Sequence, residues 1–323
     1  MEAERVALKD EIRFQQYIQF LFFEQWFALK QYANAQGVQI IGDIPIYVAM
    51  DSVDTWGAPE LFLFNSEREP LFVGGCPPDY FSGTGQLWGN PIFNYARMAQ
   101  DGFQWWIDRL RSNLSLYDLI RVDHFRGFAG YWSIPYGEET AINGTWETGP
   151  GKALFDAIKN ALGDIPIIAE DLGLITPDVI ELRDHFHLPG MKILQFAFDS
   201  SEDNNYLPHT YDKNCVVYTG THDNDTVVGW FNSAKESDQQ YVLDYFNSDG
   251  KDIAWDFIRG AWSSVAALAM APMQDVLALD GSARMNLPGT TKDNWLWRMP
   301  ADVLQDEKLA ERLYDLTKLY GRL

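Results

Sequence analysis

The segment IRVDHFRG (residues 120–127) places Arg, Asp, His and Arg where an apolar strand is predicted to end. Side chains alternate along a strand, so Arg121 and Asp123 point to the same side while Val122 points to the other. A guanidinium beside a carboxylate favours its ionised form and fixes its direction. Asp123 is therefore a candidate nucleophile, although a structural Arg–Asp pair explains the same residues. We expect Arg126 to form a salt bridge at the edge of the fold.

A second acid follows the next predicted strand, in IPIIAEDLG (residues 165–173). Glu170 ends a run of Ile and Ala, and an apolar setting favours the protonated form of a carboxyl group. One ionised and one protonated carboxyl group on neighbouring strands form the pair that glycosidic bond cleavage requires. Glu170 would also be explained by capping of the next helix or by pairing with a lysine. Asp171 lies beside it and is a substitute for Glu170 in either of these roles.

A third acid lies in YTGTHDNDT (residues 218–226), where His222 and Asp223 follow a predicted strand end. The small residues 219–221 before them are expected to let a ligand approach the backbone closely. A carboxylate here would stabilise the positive charge of an oxocarbenium-like transition state. A polar turn is the alternative interpretation.

Acids at the ends of several strands require a sheet, and the chain alternates between apolar strand-like and helix-like segments. The predicted strands cover residues 38–46, 118–123, 165–170, 191–198, 216–221 and part of 268–277. The predicted helices cover residues 7–36, 102–113, 151–162, 177–186 and a stretch from about residue 237. This alternation predicts a parallel sheet covered on both faces.

The number of predicted strands leaves two architectures open. Six strands fall short of the eight that close a (β/α)8 barrel, and an open sheet is the competing fold. The candidate acids each lie at or near the carboxyl end of a different predicted strand: Asp43, Asp123, Glu170 and Asp223. Catalytic residues are distributed in this way on barrels, whereas an open sheet concentrates them at one switch point. We predict an α/β fold of (β/α)8 TIM-barrel type that is incomplete here, with about strands 3 to 8.

Residues 47–97 form a segment longer than a connection between two elements needs, and it is rich in aromatic and turn residues. Aromatic residues make up 15% of the whole chain. Aromatic faces in a polar loop suit the apolar faces and polar rims of sugar rings. We predict a substrate-covering insertion after strand 3, although any single ring would equally pin the loop to the core.

The composition excludes several other classes of protein. The net charge of −21 repels polyanions, so nucleic-acid binding is not expected and a neutral ligand fits better. Two cysteines, Cys76 and Cys215, are too few for a disulfide framework, as in a reducing compartment. No apolar run approaches a membrane span. We expect a cytoplasmic protein, or one of the plastid stroma if a transit peptide precedes the chain.

Six motifs, in this order, resemble those of the amylomaltases, the 4-α-glucanotransferases also called disproportionating enzymes. They are GDIPIYV (residues 42–48), PPDYFSGTGQLWGNP (77–91), RVDHFRG (121–127), IIAEDLG (167–173), GTHDNDT (220–226) and ARMNLPGT (283–290). The resemblance runs from about residue 7 to the end of the chain. It implies a retaining enzyme related to α-amylases, with a (β/α)8 barrel and no metal or organic cofactor.

The resemblance also implies roles for individual residues. Asp123 matches the nucleophile of the family, Glu170 its acid/base and Asp223 its transition-state stabiliser. The substrates would be maltooligosaccharides and α-1,4-glucans. The implied substrate contacts are Asp43, Tyr80, Phe81, Gln86, Trp88, Asn90, Arg121, His124 and His222, with Tyr80 and Phe81 in the loop that covers the donor sugars.

The chain departs from the family pattern at its start. Family members carry a long N-terminal region with the first two barrel strands, so residues 1–323 are expected to be the C-terminal part of a catalytic barrel. Three alternatives remain open: a hydrolase with the same three acids, a metal-dependent hydrolase that uses His124, His222 and nearby Asp residues, and a glucan-binding protein without turnover.

Overall fold

The structure of the protein is a computed structural model that describes residues 2–78, 82–198, 204–290 and 292–323. It is a mixed α/β fold that divides into two compact units. The first unit comprises residues 1–170 and 175–186, and the second comprises residues 171–174 and 187–323.

The first unit contains seven α-helices and seven strands within the described residues. The helices are α1 (Glu2–Ala7), α2 (Lys9–Ala35), α3 (Val53–Gly57), α4 (Tyr95–Gln100), α5 (Gln104–Leu116), α6 (Gly151–Leu162) and α7 (Pro177–His185). The strands are β1 (Ile41–Ile44), β2 (Phe72–Cys76), β3 (Gln86–Pro91), β4 (Leu119–Val122), β5 (Gly130–Pro135), β6 (Thr145–Thr148) and β7 (Ile167–Ala169).

A parallel sheet with the order β1-β4-β7 is the part of this unit that positions the candidate acids. Its central strand β4 buries Ile120 and Val122 almost completely, and all three residues of β7 are buried. Central strands of a sheet covered on both faces lack the alternation of half-exposed strands. The three strands predicted at these positions are confirmed, each shorter than expected.

A second sheet of the unit is antiparallel, with the order β3-β2-β5-β6. Residues 47–97 supply β2 and β3, but β5 and β6 lie outside that segment and were not predicted. All four residues of β6 are exposed, and β5 has buried residues on both faces. Neither strand therefore shows the period-two pattern by which a half-buried strand is recognised. The long segment thus contributes two of the four strands of this sheet.

The long helix predicted over residues 7–36 is confirmed as α2. None of the 27 residues of α2 is buried. Near its C-terminal end, Trp26 Nε1 donates to the carbonyl oxygen of Leu116 at 2.9 Å, and Lys30 Nζ donates to that of Tyr117 at 2.9 Å. Large apolar side chains on the helix are more than two-fifths exposed: Phe14, Tyr17, Ile18, Phe20, Phe22, Phe27, Leu29 and Tyr32.

The second unit contains a parallel sheet with the order β10-β9-β8 and five α-helices within the described residues. Its strands are β8 (Gly190–Ile193), β9 (Cys215–Tyr218) and β10 (Leu268–Met270). Its helices are α8 (Val227–Ser233), α9 (Glu236–Phe246), α10 (Ile253–Ser263), α11 (Met273–Val276) and α12 (Glu307–Leu319). A hydrophobic core combines residues of β9 and of the segment after β8 with residues of α8, α9 and α10.

Two predicted strands of the second unit are partly helical. The strand expected at residues 191–198 ends at Ile193, and Leu194–Phe198 forms a 3₁₀-helix. The strand expected within residues 268–277 ends at Met270 and is followed by α11. Leu194, Ala197 and Phe198 are fully buried. A short, mainly apolar run does not distinguish a buried strand from a buried helical turn, which explains the error.

All six predicted parallel strands are therefore present, as three in each unit. Across the described part of the chain, no helix combines the length and apolar character needed to cross a membrane.

Candidate active site

The pairing of β1 with β4 brings two candidate residues side by side. The register places Asp43 opposite Arg121, 78 residues further along the chain. Arg121 Nη1 donates to Asp43 Oδ2 at 2.6 Å, and Arg121 Nη2 lies 2.9 Å from Asp123 Oδ1. The expectation that Arg121 and Asp123 point to the same side of the strand is confirmed. One guanidinium therefore holds two carboxylates at the carboxyl ends of two strands.

The charge of Arg121 is strongly favoured at this position. Its side chain is buried, and burial alone lowers the pKa of a guanidinium, but the carboxylates of Asp123 and Asp43 outweigh burial and raise the pKa of Arg121 above its ordinary value. The two acids are about two-fifths exposed. Arg121 is thus a permanent buried cation between two accessible acids.

Glu170 is positioned by the pairing of β4 with β7. Val122 lies opposite Ala169, and the main-chain N–H of Glu170 donates to the carbonyl oxygen of Val122 at 3.0 Å. The carboxylate of Glu170 is buried and accepts a 2.7 Å hydrogen bond at Oε2 from the main-chain N–H of His124. Since His124 directly follows Asp123, the sheet register places the Glu170 carboxylate against the backbone next to the candidate nucleophile.

His124 has a left-handed backbone conformation with a φ of 50°. Burial, together with the nearby charge of Arg126, lowers the pKa of its imidazole from 6.5 to about 4. Its ring meets the edge of Trp88 with ring centres 4.8 Å apart and an interplanar angle of 88°. At neutral pH His124 is therefore an uncharged hydrogen-bonding group held between an aromatic ring and the acid-bearing strand.

The predicted substrate contacts between residues 77 and 91 are only partly described by the structure. Tyr80 and Phe81 lie outside the described residues. Trp88 is half-buried, and its Nε1 donates to Gln86 Oε1 at 3.1 Å. Asn90 Nδ2 donates to the carbonyl oxygen of Val48 at 2.8 Å, so this side chain also ties β3 to the end of β1.

Arg126, for which we expected a salt bridge at the edge of the fold, is buried. Its guanidinium carbon lies 3.9 Å from the ring centre of Trp146, and its Nε donates to the carbonyl oxygen of Gly130 at 3.4 Å. The second arginine of the 120–127 motif thus packs on an aromatic ring and holds the chain turn that follows β4.

In the second unit, Asp223 is surrounded by several polar groups. Its Oδ1 accepts a 2.7 Å hydrogen bond from Asn286 Nδ2, and its Oδ2 lies 3.4 Å from His222 Nε2. Its carbonyl oxygen accepts a 2.6 Å hydrogen bond from Arg284 Nη2. We did not predict roles for Asn286 or Arg284. The signal was present, since both lie in the ARMNLPGT motif on which the resemblance rests.

The small residues before Asp223 serve packing, which corrects the expectation that they leave room for a ligand. Thr219 is fully buried, and its hydroxyl donates to Asp275 Oδ2 at 2.6 Å. A Cβ added to Gly220 would lie 2.6 Å from Gln195 Nε2. Asp275 also accepts from the main-chain N–H of Val227 at 2.8 Å, and burial raises its pKa. The carboxylate of Asp275 therefore holds both ends of the segment of residues 219–227 in place.

Each unit thus assembles its own group of predicted residues. The first brings together Asp43, Trp88, Arg121, Asp123, His124 and Glu170, and the second brings together His222 and Asp223. Among residues 2–78, 82–198, 204–290 and 292–323, no three His, Cys, Asp or Glu side chains form a group that could hold a metal ion.

Comparison with known proteins identifies the family of this chain. The sequence profile of the 4-alpha-glucanotransferases, glycoside hydrolase family 77, matches residues 1–304. The chain belongs to this family. A 4-alpha-glucanotransferase of Clostridium butyricum is 50% identical over 325 residues, covering 100% of this chain and 66% of the relative. A 4-alpha-glucanotransferase of Arabidopsis thaliana, described as chloroplastic/amyloplastic, is 50% identical over 308 residues, covering 94% of this chain and 54% of the relative.

A solved family 77 structure has the same fold. The amylomaltase of Streptococcus agalactiae, in complex with acarbose, superposes with a TM-score of 0.96 at 41% identity, over 99% of this chain and 65% of the other. This glycoside hydrolase family 77 chain therefore spans about two-thirds or less of the length of these relatives.

Proposed function

We propose that this chain carries the catalytic residues of a 4-α-glucanotransferase that moves α-1,4-glucan segments from a donor maltodextrin to the 4-hydroxyl of an acceptor glucan or glucose. The proposal rests on two neighbouring contacts. Arg121 contacts the carboxylate of Asp123, and the carboxylate of the buried Glu170 accepts a hydrogen bond from the main-chain N–H of His124, the residue after Asp123. A carboxylate directed by a cation and a second carboxyl group in a buried setting are the two groups that a retaining mechanism uses.

The proposed reaction has two steps. In the first, a carboxylate oxygen of Asp123 attacks the anomeric carbon, the glycosidic C–O bond breaks, and Glu170 gives its proton to the leaving oxygen. In the second, Glu170 takes the proton from the acceptor 4-hydroxyl, whose oxygen attacks the anomeric carbon and releases Asp123. Asp223 stabilises the positive charge that develops on the sugar ring.

The remaining predicted residues bind the substrate in this proposal. His124 is neutral and offers its ring nitrogens to sugar hydroxyls, while Arg121 directs Asp43 and Asp123. Trp88 presents an aromatic surface next to His124, as expected for a group that packs against sugar rings. Tyr80, Phe81, Gln86, Asn90 and His222 complete the proposed set. Residues 47–97 cover the substrate and shield the covalent intermediate from water, which favours transfer over hydrolysis.

We further propose that the six parallel strands belong to a (β/α)8 barrel whose first two β/α units are not in this sequence. Two observations support this. Strand β1 lies at the edge of its sheet, with β4 as its partner, and α2 exposes its apolar side chains. Unpaired strand edges and apolar helix faces are surfaces that a further β/α unit would cover. The length of the family relatives is consistent with this arrangement.

We place the protein in the cytoplasm, or in a plastid stroma if the full protein carries a transit peptide. The composition of two cysteines among 323 residues supports a reducing compartment. The Arabidopsis thaliana relative is a plastid protein by its name.

Incubation of a full-length version of the protein with maltotriose tests the proposed function. We expect free glucose together with maltodextrins longer than maltotriose, which only transfer produces. Asp123→Ala removes a side chain at a strand end without opening the core, so it should abolish turnover and leave the thermal unfolding midpoint nearly unchanged. Glucose and maltose as the sole products would show a hydrolase instead. Substantial activity of the Asp123→Ala variant would contradict the assignment of the nucleophile.

A glucan-binding protein without turnover is the second candidate function. It would bind acarbose or maltoheptaose in calorimetry and release no glucose. Loss of turnover on treatment with a chelator, restored by a divalent cation, would instead favour a metal-dependent hydrolase.

A further inference from the structure

The segment of residues 284–295 holds Asp223 and its neighbour by several hydrogen bonds, and the proposed reaction assigns this segment no role. Asn286 Nδ2 donates to Asp223 Oδ1 at 2.7 Å. The main-chain N–H of Asn286 donates to the carbonyl oxygen of His222 at 3.1 Å. Asn286 thus binds both members of the His222–Asp223 pair. It binds Asp223 through its side chain and His222 through its backbone.

Arg284 and Trp295 reinforce this arrangement. Arg284 Nη2 donates to the carbonyl oxygen of Asp223 at 2.6 Å, and its Nε donates to the carbonyl oxygen of Asn286 at 2.8 Å. The ring of Trp295 lies against the ring of His222, with centres 5.2 Å apart. Arg284, Asn286 and Trp295 therefore secure the backbone of the pair as well as its side chains.

The direction of the hydrogen bond from Asn286 is determined by chemistry. An ionised carboxylate only accepts hydrogen bonds, so the amide nitrogen of Asn286 must face Asp223. The other oxygen of Asp223 lies 3.4 Å from His222 Nε2. With a neighbour at each oxygen, rotation of the carboxylate about its last bond is restricted. The amide donor is also uncharged, so it restrains the carboxylate without neutralising it.

We propose that Asn286 is a positioning residue for Asp223, and that its amide holds the carboxylate in the one direction in which it stabilises the transition state. This inference rests on the proposed glucanotransferase function. Catalytic groups must be held close to their productive geometry, and a misplacement of about 1 Å costs on the order of 100-fold in rate. A donor that holds Asp223 therefore matters for turnover without itself touching the sugar.

Two variants separate donation from packing. Asn286→Ala removes the donor, and Asn286→Asp keeps the shape but replaces the donor with a second carboxylate. We expect both variants to lower kcat for maltotriose on the order of 100-fold, while KM stays nearly unchanged. An Asn286→Asp variant with the kcat of the unsubstituted chain would overturn the proposal, because a residue needed only for its shape tolerates this change.

Asn294 is the matched control, since it lies in the same segment and its amide bonds locally. Its Nδ2 donates to the carbonyl oxygen and hydroxyl of Thr290, and its Oδ1 accepts from the main-chain N–H of Leu287. Asn294→Ala should loosen the segment and leave kcat close to that of the unsubstituted chain. If Asn294→Ala lost as much kcat as Asn286→Ala, the role would belong to the fold of the segment and the proposal would be wrong.

Crystal structures of the unsubstituted chain and the Asn286→Ala variant give a readout that needs no turnover. We expect the Asp223 carboxylate to rotate away from its original position in the variant. An unmoved carboxylate would contradict the positioning role. If the unsubstituted full-length protein does not turn over maltotriose, the proposed function fails, and this crystallographic comparison still decides whether Asn286 positions Asp223.

Discussion

Arg121 Nη2 lies 2.9 Å from Asp123 Oδ1 at the carboxyl end of β4. The other terminal nitrogen of the same guanidinium lies 2.6 Å from Asp43 Oδ2 on the neighbouring strand. The side chain of Arg121 is about one-tenth exposed, whereas the two acids are partly exposed. A planar group with several fixed donors binds two carboxylates at once, which a single ammonium does less well. The orientation of the candidate nucleophile therefore depends on the shape of the arginine as well as on its charge.

Replacement of Arg121 by lysine tests this dependence. Arg121→Lys keeps the positive charge but offers one nitrogen where two are used. We expect kcat for maltotriose to fall on the order of 100-fold, because Asp123 is no longer directed. The free energy of unfolding should fall by about 1–3 kcal/mol as hydrogen bonds of a buried group are lost. Initial rates of glucose release and urea denaturation measure the two effects.

The matched control is Arg111→Lys. Arg111 forms an exposed ion pair with Asp108 on α5, and exposed pairs contribute less than about 1 kcal/mol. This variant should retain full turnover and nearly full stability. If Arg111→Lys and Arg121→Lys lost equal amounts of turnover and stability, the position of Arg121 would have no special role.

The depressed pKa of His124 predicts a pH-dependent stability. The imidazole pKa is about 4 in the folded protein, against an ordinary value of 6.5. Between these pH values the unfolded chain binds a proton that the folded chain does not, so stability falls as the pH decreases from 6.5 to 4. This single group contributes a slope of at most about 1.4 kcal/mol per pH unit.

Urea denaturation across this pH range measures the effect, with His124→Gln as the comparison. Gln stays neutral at every pH, so the variant should lose stability less steeply than the unsubstituted chain as the pH falls. An NMR titration of the His124 ring should give a midpoint near pH 4. Identical pH slopes for the two proteins would show that His124 titrates alike in the folded and unfolded states.

Trp88 should contribute to substrate binding. Its ring is half-buried against His124, so a sugar that contacts His124 also contacts Trp88. We expect Trp88→Ala to raise KM for maltoheptaose by about 3- to 10-fold, as the loss of one aromatic contact predicts. Tyr314, which is 51% exposed on α12, provides the control. A similar rise in KM for Tyr314→Ala would point to a general effect of a lost aromatic side chain on the fold.

The exposed apolar face of α2 predicts that this chain self-associates. Exposed apolar side chains in such number bind hydrophobic dyes and other apolar surfaces. Light scattering after size-exclusion chromatography should therefore show oligomers, and Phe14→Lys with Phe20→Lys should reduce both association and dye fluorescence. The Clostridium butyricum relative has a part that this chain does not span. Addition of that part as a separate polypeptide should also reduce association and dye fluorescence, and it should protect α2 from hydrogen exchange. A monomeric chain without dye binding would contradict the proposal of uncovered barrel surfaces.

The accuracy of prediction from sequence depended on how local each pattern is. The strand ending at Val122 and the common direction of Arg121 and Asp123 follow from the period of a single strand, and both are confirmed. Strands β5 and β6 were missed because their burial does not alternate. Residues 194–198 were assigned to a strand because a short, mainly apolar run has no period that distinguishes it from a helical turn.

The sequence by itself determined the family, the order of the acid-bearing motifs and the strand ends at which the acids lie, since each of these depends on residue identity and short-range spacing. Only the tertiary structure decided the partners of those acids. Asp43 meets Arg121 across 78 residues, and Asn286 meets Asp223 across 63. The physical reason is that strand register and loop packing depend on the combined burial of many distant side chains, which no single stretch of the chain contains.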